Sequence, residues 1–267
     1  MTSPFDARPI IVALAGPNGA GKSTFYQVHL AAAGLRFVNV DDLARELQVS
    51  ADDGARLANR LRETLVEQRE SFVFETVLSD PVGDKVEFLR RAGADLGYAI
   101  VLCFIGVASA EISEERVSMR VLQGGHDVPS EKVAARFPRA LANLRLAMAA
   151  LPHVLVFDNS DLSHPFRMLA EFRNGALAHR TEQRHGDDRA GALVEEHKHL
   201  PRPAGLWHDR LMQDRSSTEP ASERETPERP SESATLPEAE FRARLAQLED
   251  FIRFLQEGRS NLRPVAK

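Results

Sequence analysis

The stretch LAGPNGAGKSTF (residues 14–25) comes straight after the apolar run at residues 10–13. Gly16, four further residues and then Gly21-Lys22-Ser23 fit the pattern G-x-x-x-x-G-K-[ST] in full. Such a segment has little apolar surface to pack, but it suits phosphate. Glycines let successive backbone N–H groups converge on phosphate oxygens, the lysine reaches the β- and γ-phosphates, and the serine hydroxyl ligates Mg²⁺. A helix starting at Lys22 adds the positive end of its dipole to the same group. Gly16, Pro17, Asn18, Gly19, Ala20, Gly21, Lys22, Ser23 and Thr24 are therefore the expected nucleotide contacts, with Ser23 the expected metal ligand. A loop of this kind joins a buried strand to a helix, and so it decides the fold class.

Working outward, the first two-thirds of the chain alternates short apolar runs with amphipathic stretches. Strands are expected at residues 10–15, 35–40, 71–77, 98–105 and 154–157, each short and apolar on both alternating faces. Helical spacing occupies 22–33, 55–70, a segment beginning near Pro81, 111–122 and 130–151. Alternation of this sort predicts an α/β fold, a mostly parallel five-stranded sheet with right-handed crossovers and helices around it. The expected folded domain covers residues 1–178. Residues 179–236 hold five of the nine histidines and the polar, proline-punctuated tract SSTEPASERETPERPSESATLP. That composition buries too little apolar surface to offset its ordering entropy, so a disordered linker is expected. Residues 237–258 then place Phe241, Leu245, Leu248, Phe251, Ile252 and Leu255 at helical spacing. This amphipathic helix could pack on the domain, self-associate or dock a partner.

Composition narrows the partners. The 267-residue chain is 43% hydrophobic and 27% charged, as soluble globular proteins are, and no apolar run approaches bilayer length. A net charge of −5 argues against extended nucleic acid and against a membrane surface. Cys103 is the single cysteine, so no intrachain disulfide can form, which suits a cytoplasmic location. The tail histidines include one His-x-His pair, 197 and 199, more in keeping with a solvated tail than with a metal site.

Two carboxylates stand out. Asp41 and Asp42 close the second expected strand, on the ligand side of a parallel sheet. Asp41 could hold Mg²⁺ through water, accept a proton from an attacking hydroxyl or cap the next helix, and capping suits Asp42 better. Glu75 sits within FVFETVL, where a buried carboxylate needs a partner: substrate, metal or a structural arginine. Asp158, in VLVFDNS, also ends a strand and competes with Asp41 on chemistry alone. In RVSMRVLQGGHDVPSEKVAARF, Arg116 and Arg120 share a helix face, Gly124-Gly125 interrupts, and Arg136 follows on the next helix. Arginines framing a glycine hinge fit a basic segment that neutralises charge on a transferring phosphoryl group. His126, beside that hinge, either contacts substrate or caps the turn.

Taken in order, GPNGAGKST, FVNVDDLAREL, FVFETVLS, RVSMRVLQGGHDVP with ARFPRALANL, and VFDNS resemble the zeta toxin family of P-loop kinases over about residues 9–175. The likeness is to its chromosomal branch. The resemblance implies a kinase-like P-loop NTPase fold, with ATP and Mg²⁺ as cofactors. It further implies transfer of a phosphoryl group to a UDP-N-acetylamino sugar, and an antitoxin protein as partner. It assigns ATP and Mg²⁺ to Lys22 and Ser23, the sugar-hydroxyl base to Asp41, substrate contact to Glu75, and phosphate-facing roles to Arg116 (or Arg120) and Arg136. Zeta toxins carry a substrate-binding threonine two residues after the glutamate. Here that place is Val77, with Thr76 adjacent as a substitute. The sequence thus predicts a small-molecule kinase acting on a nucleotide sugar. Two rivals are a kinase for a nucleoside, dinucleotide or polynucleotide end, and a nucleotide-dependent regulatory protein with slow hydrolysis.

Overall fold

The computed structural model describes residues 4–124 and 128–181. His126, the expected linker beyond residue 181 and the whole 237–258 helix lie outside the described residues. The chain divides into two compact units, whose described parts are residues 4–37, 69–124 and 128–181 for the first and 38–68 for the second.

The first unit is built on a sheet whose order is β2-β3-β1-β4-β5-β6-β7. Its strands are β1 (Ile10–Ala15), β2 (Arg36–Val38), β3 (Phe72–Thr76), β4 (Ala99–Gly106), β5 (His153–Asp158), β6 (Arg167–Arg173) and β7 (Ala176–Arg180). β3, β1, β4 and β5 run parallel, in register Leu14↔Glu75 on one side of β1 and Leu14↔Cys103 on the other. All six residues of β1 are buried, as a central strand covered on both faces requires. Val73, Val101 and Phe137 join it in one apolar cluster that also holds Phe25, from the turn after the glycine loop.

Among the described residues the sheet has seven strands where five are expected. β6 pairs antiparallel with β5, and β7 antiparallel with β6. β6 mixes charged residues (Arg167, Glu171 and Arg173) with apolar ones, so it lacks the continuous apolar run that marks the inner strands. The turn between them, Asn174-Gly175, has φ of 49° and 77°, the two positive values that a type I′ hairpin needs.

The helical segments are α1 (Lys22–Phe25), α2 (Val40–Leu47), α3 (Ala51–Glu67), α4 (Asp84–Ala94), α5 (Ala110–Leu122) and α6 (Ser130–Ala150). α1 continues without a break as a π turn over Tyr26–Leu30 and a 3₁₀ turn over Ala31–Ala33. α4 lies on β4 and α6 on β5. Among the described residues no helix is long and apolar enough to cross a membrane.

α2 and α3 make up the described part of the second unit. Here the local expectation needs correcting: Asp41 and Asp42 do not end a strand but open α2. Asn39 is its N-cap, the side-chain Oδ1 accepting from Asp41 N at 2.8 Å and Asp42 N at 3.2 Å. A short amide side chain is as good a cap as aspartate, and its position two residues upstream shortens β2. Asp42 pairs with Arg45 one turn on. α3 is capped by Ser50, which also donates to the fully buried Asp53 at 2.8 Å.

Candidate phosphate-binding site

The glycine loop leaves β1 at its C-terminal end and is gripped from several sides. Gly19 and Gly21 have φ of 71° and 90°, left-handed values that glycine alone adopts without strain. A Cβ at Gly19 would lie 2.7 Å from Ser113 O on α5, and one at Gly21 would lie 2.6 Å from Asn159 Nδ2. Those contacts bring α5 and the segment after β5 directly against the loop.

Lys22 is 6% exposed and folds back over the loop, its Nζ donating to Pro17 O at 3.0 Å. The same Nζ lies 3.6 Å from Glu75 Oε1, while Ser23 Oγ donates to Glu75 Oε2 at 3.0 Å. Glu75 therefore has partners of the kind its place in an apolar strand demands, among them the loop lysine and serine. The register that pairs Glu75 with Leu14 sets its carboxylate beside the loop. Ser23 Oγ and Glu75 Oε2 are hard oxygen donors of the type Mg²⁺ takes, and a 3.0 Å separation lets both serve one ion directly or through water. The residues present thus fit a magnesium-bound triphosphate.

The neighbouring carboxylate, Asp158, is engaged otherwise. Its Oδ2 accepts from Arg167 at 3.0 Å and its Oδ1 from Ser160 N at 2.9 Å. Ser160 Oγ donates to the same Oδ1 and accepts from Ala108 N at 2.8 Å. Asp158 is a turn-forming, ion-paired residue that fixes the β5–β6 connection. Arg116, one of the expected clamp residues, docks on that connection, donating to Ser160 O at 3.0 Å. Partial burial lowers its pKa, opposed by the charge of nearby Asp158, yet an arginine stays cationic in proteins.

Lys22, Ser23, Glu75 and the loop are thus brought together, with Arg116 at the loop's α5 side. Arg120 lies one helical turn beyond Arg116, and Arg136 lies half-buried on α6. Thr76 is half-buried and its Oγ1 accepts from Leu78 N at 3.0 Å, turning the chain after β3. Asp41 belongs to the second unit, in the first turn of α2. Sequence reasoning missed Ser113, Asn159, Asn143 and Arg167. Asn159 lay in plain view within VFDNS, beside the aspartate that drew attention. Ser113 carries no motif signal at all.

A parallel sheet with β3 and β4 flanking the strand that feeds a G-x-x-x-x-G-K-S loop defines a P-loop kinase-like α/β fold. Residues 11–146, just over half of the chain, match the model of the AAA domain family AAA_33, and the chain belongs to that family. It is 27% identical over 127 residues to an uncharacterized protein of Haemophilus influenzae, covering 46% of this chain and 88% of that one. A chain in the crystal structure of the AvrRxo1-ORF1:AvrRxo1-ORF2 complex with sulphate ions shares its fold at a TM-score of 0.55 and 19% identity, covering 90% of this chain and 76% of that one. The same complex crystallised with ATP gives the same score, identity and coverage.

Proposed function

We propose that the chain is an ATP- and Mg²⁺-dependent small-molecule kinase that phosphorylates a hydroxyl of a nucleotide sugar of the UDP-N-acetylglucosamine kind. The observation that carries the reading is the Glu75 carboxylate set between Lys22 and Ser23. A loop lysine, a loop hydroxyl and a strand-end carboxylate are what a P-loop phosphotransferase needs around the β- and γ-phosphates. ATP as donor is also supported by the AvrRxo1-ORF1:-ORF2 complex, which was crystallised with it.

In this scheme the loop amides and Lys22 would hold the β- and γ-phosphates, and Ser23 and Glu75 would hold the metal. Bound Mg²⁺ supplies neutralisation of the phosphate oxygens. Asp41 accepts the proton of the acceptor hydroxyl as its oxygen attacks the γ-phosphorus, the bond from that phosphorus to the β–γ bridging oxygen breaks, and ADP leaves with the oxygen. Arg116, Arg120 and Arg136 neutralise charge on the transferring group. Asp41, Arg116 (or Arg120) and Arg136 enter the scheme through the resemblance to zeta toxins, which also gives Glu75, beside its metal role, a contact with the acceptor; Thr76 stands next to the place of the family's threonine, and His126 enters from its position beside the glycine hinge. An inhibitory partner protein also enters through the resemblance, in keeping with the two-protein AvrRxo1 complex. A cytoplasmic site of action follows from the ATP requirement.

Val77 and the engaged Thr76 hydroxyl favour a second reading of the acceptor alone: a nucleoside, dinucleotide or polynucleotide end in place of the sugar nucleotide. ATP turnover with Mg²⁺, with and without UDP-N-acetylglucosamine, separates the two when run beside an Asp41→Asn variant. Phosphorylated sugar nucleotide that vanishes in the variant is the expected result. Turnover indifferent to every hydroxyl acceptor and to Asp41→Asn contradicts the kinase and leaves a nucleotide-dependent regulator.

A further inference from the structure

The loop's carbonyls are held one after another by donors from different elements. Lys22 Nζ takes Pro17 O, Ser113 Oγ on α5 takes Asn18 O, and Asn159 Nδ2 after β5 takes Ala20 O at 2.9 Å. Ser113 is fully buried and Asn159 is 4% exposed. Asn159 cannot swivel: its N–H donates to Gly106 O at 2.9 Å, and its Oδ1 accepts from Phe166 N at 3.3 Å. With Oδ1 so used, the amide nitrogen faces Ala20 O.

A trans peptide is planar, so fixing the carbonyl of one residue aims the next residue's N–H the opposite way. Tying back Pro17 O, Asn18 O and Ala20 O turns out the N–H groups of Asn18, Gly19 and Gly21. Among the described residues no protein acceptor takes those three, whereas Ala20 N–H donates to Pro17 O at 3.3 Å. Successive N–H groups held outward in left-handed backbone make an anion-binding concavity.

We propose that Ser113 and Asn159 are positioning residues of the phosphate-binding loop, holding the Asn18 and Ala20 carbonyls back so that the Gly19 and Gly21 amides meet the nucleotide's phosphates. The G-x-x-x-x-G-K-S pattern contains neither residue. The inference rests on the nucleotide reading of the loop but not on any acceptor. Gly19 and Gly21 are required here for a second reason besides φ, because a Cβ at either would strike the element that carries the clamp.

The test is calorimetric titration of the full chain with inorganic tripolyphosphate, and separately with ATP, in Mg²⁺. Wild type is compared with Ser113→Ala, Ser113→Thr and Asn159→Ala. Each alanine variant should lose about tenfold in affinity for both ligands, as loss of one orienting hydrogen bond implies. Ser113→Thr, which keeps the hydroxyl, should stay close to wild type. In the unaltered chain the Gly19 and Gly21 amide resonances should shift more on adding tripolyphosphate than that of Ala20, a readout that survives if a variant fails to fold. Wild-type affinity in a folded alanine variant, or equal shifts at all three amides, overturns the proposal. Wild type that binds neither ligand overturns the nucleotide reading itself.

Discussion

At the level of single residues, Glu75 decides more than any other. Its carboxylate lies 3.6 Å from the Lys22 ammonium and accepts from Ser23 at 3.0 Å. Glu75→Gln keeps an oxygen for Ser23 and removes a negative charge from beside the phosphate loop. Binding of metal-free ATP should therefore be unchanged or tighter, while Mg²⁺-dependent turnover falls by about 10² or more. Turnover at the wild-type level would remove Glu75 from the metal site. Cys103 gives a cleaner electrostatic case. Full burial in β4 pushes its thiol up to about 12. The folded protein at pH 8 holds almost no thiolate, and thiolate is the reactive form. A thiol reagent should modify Cys103 only as fast as the chain opens, and rapidly in denaturant. Fast labelling of the native protein would contradict that burial.

At the level of elements, the connection from β3 to α4 depends on α6. Asn143 Nδ2 donates to Leu78 O at 3.0 Å and Asp80 O at 2.8 Å, and Leu78 sits at φ 58°, a conformation costly for a branched side chain. Asn143→Ala leaves two carbonyls unanswered and should cost about 1–3 kcal/mol, read as a lower melting temperature. A melt unchanged from wild type would show that the turn holds itself. Legibility also divides by element. β1, β3, β4 and β5 are readable to within a residue or two, because each carries a run of apolar residues, continuous and buried on both faces in β1 and β4. β6 and β7 are harder to read, since charges interrupt β6 and the Asn-Gly turn is its one strong hairpin signal. The start of α2 was misplaced because Val40 looks like strand and the Asn39 cap does not announce itself among aspartates.

At the level of the whole molecule, the loop motif alone gave away the fold class and the Lys22–Ser23 half of the site. A local backbone pattern suffices to make a phosphate cradle. What sequence could not supply is long-range. Ser113 and Asn159 reach the loop across 95 and 139 residues of chain; no motif marks Ser113, and VFDNS shows Asn159 without showing what it touches. The Asp158–Arg167 pair likewise needs β6 in place before it can be seen. A P-loop kinase-like fold serves kinases and nucleotide switches alike, so the claim that separates them is chemical. The most direct measurement is the fate of the ATP γ-phosphoryl group when turnover is run in ¹⁸O-water with hydroxyl acceptors, UDP-N-acetylglucosamine first. A kinase places that group on the acceptor as a phosphomonoester carrying no solvent oxygen. Release of the whole of it as inorganic phosphate labelled with ¹⁸O, whatever acceptor is offered, would contradict the account.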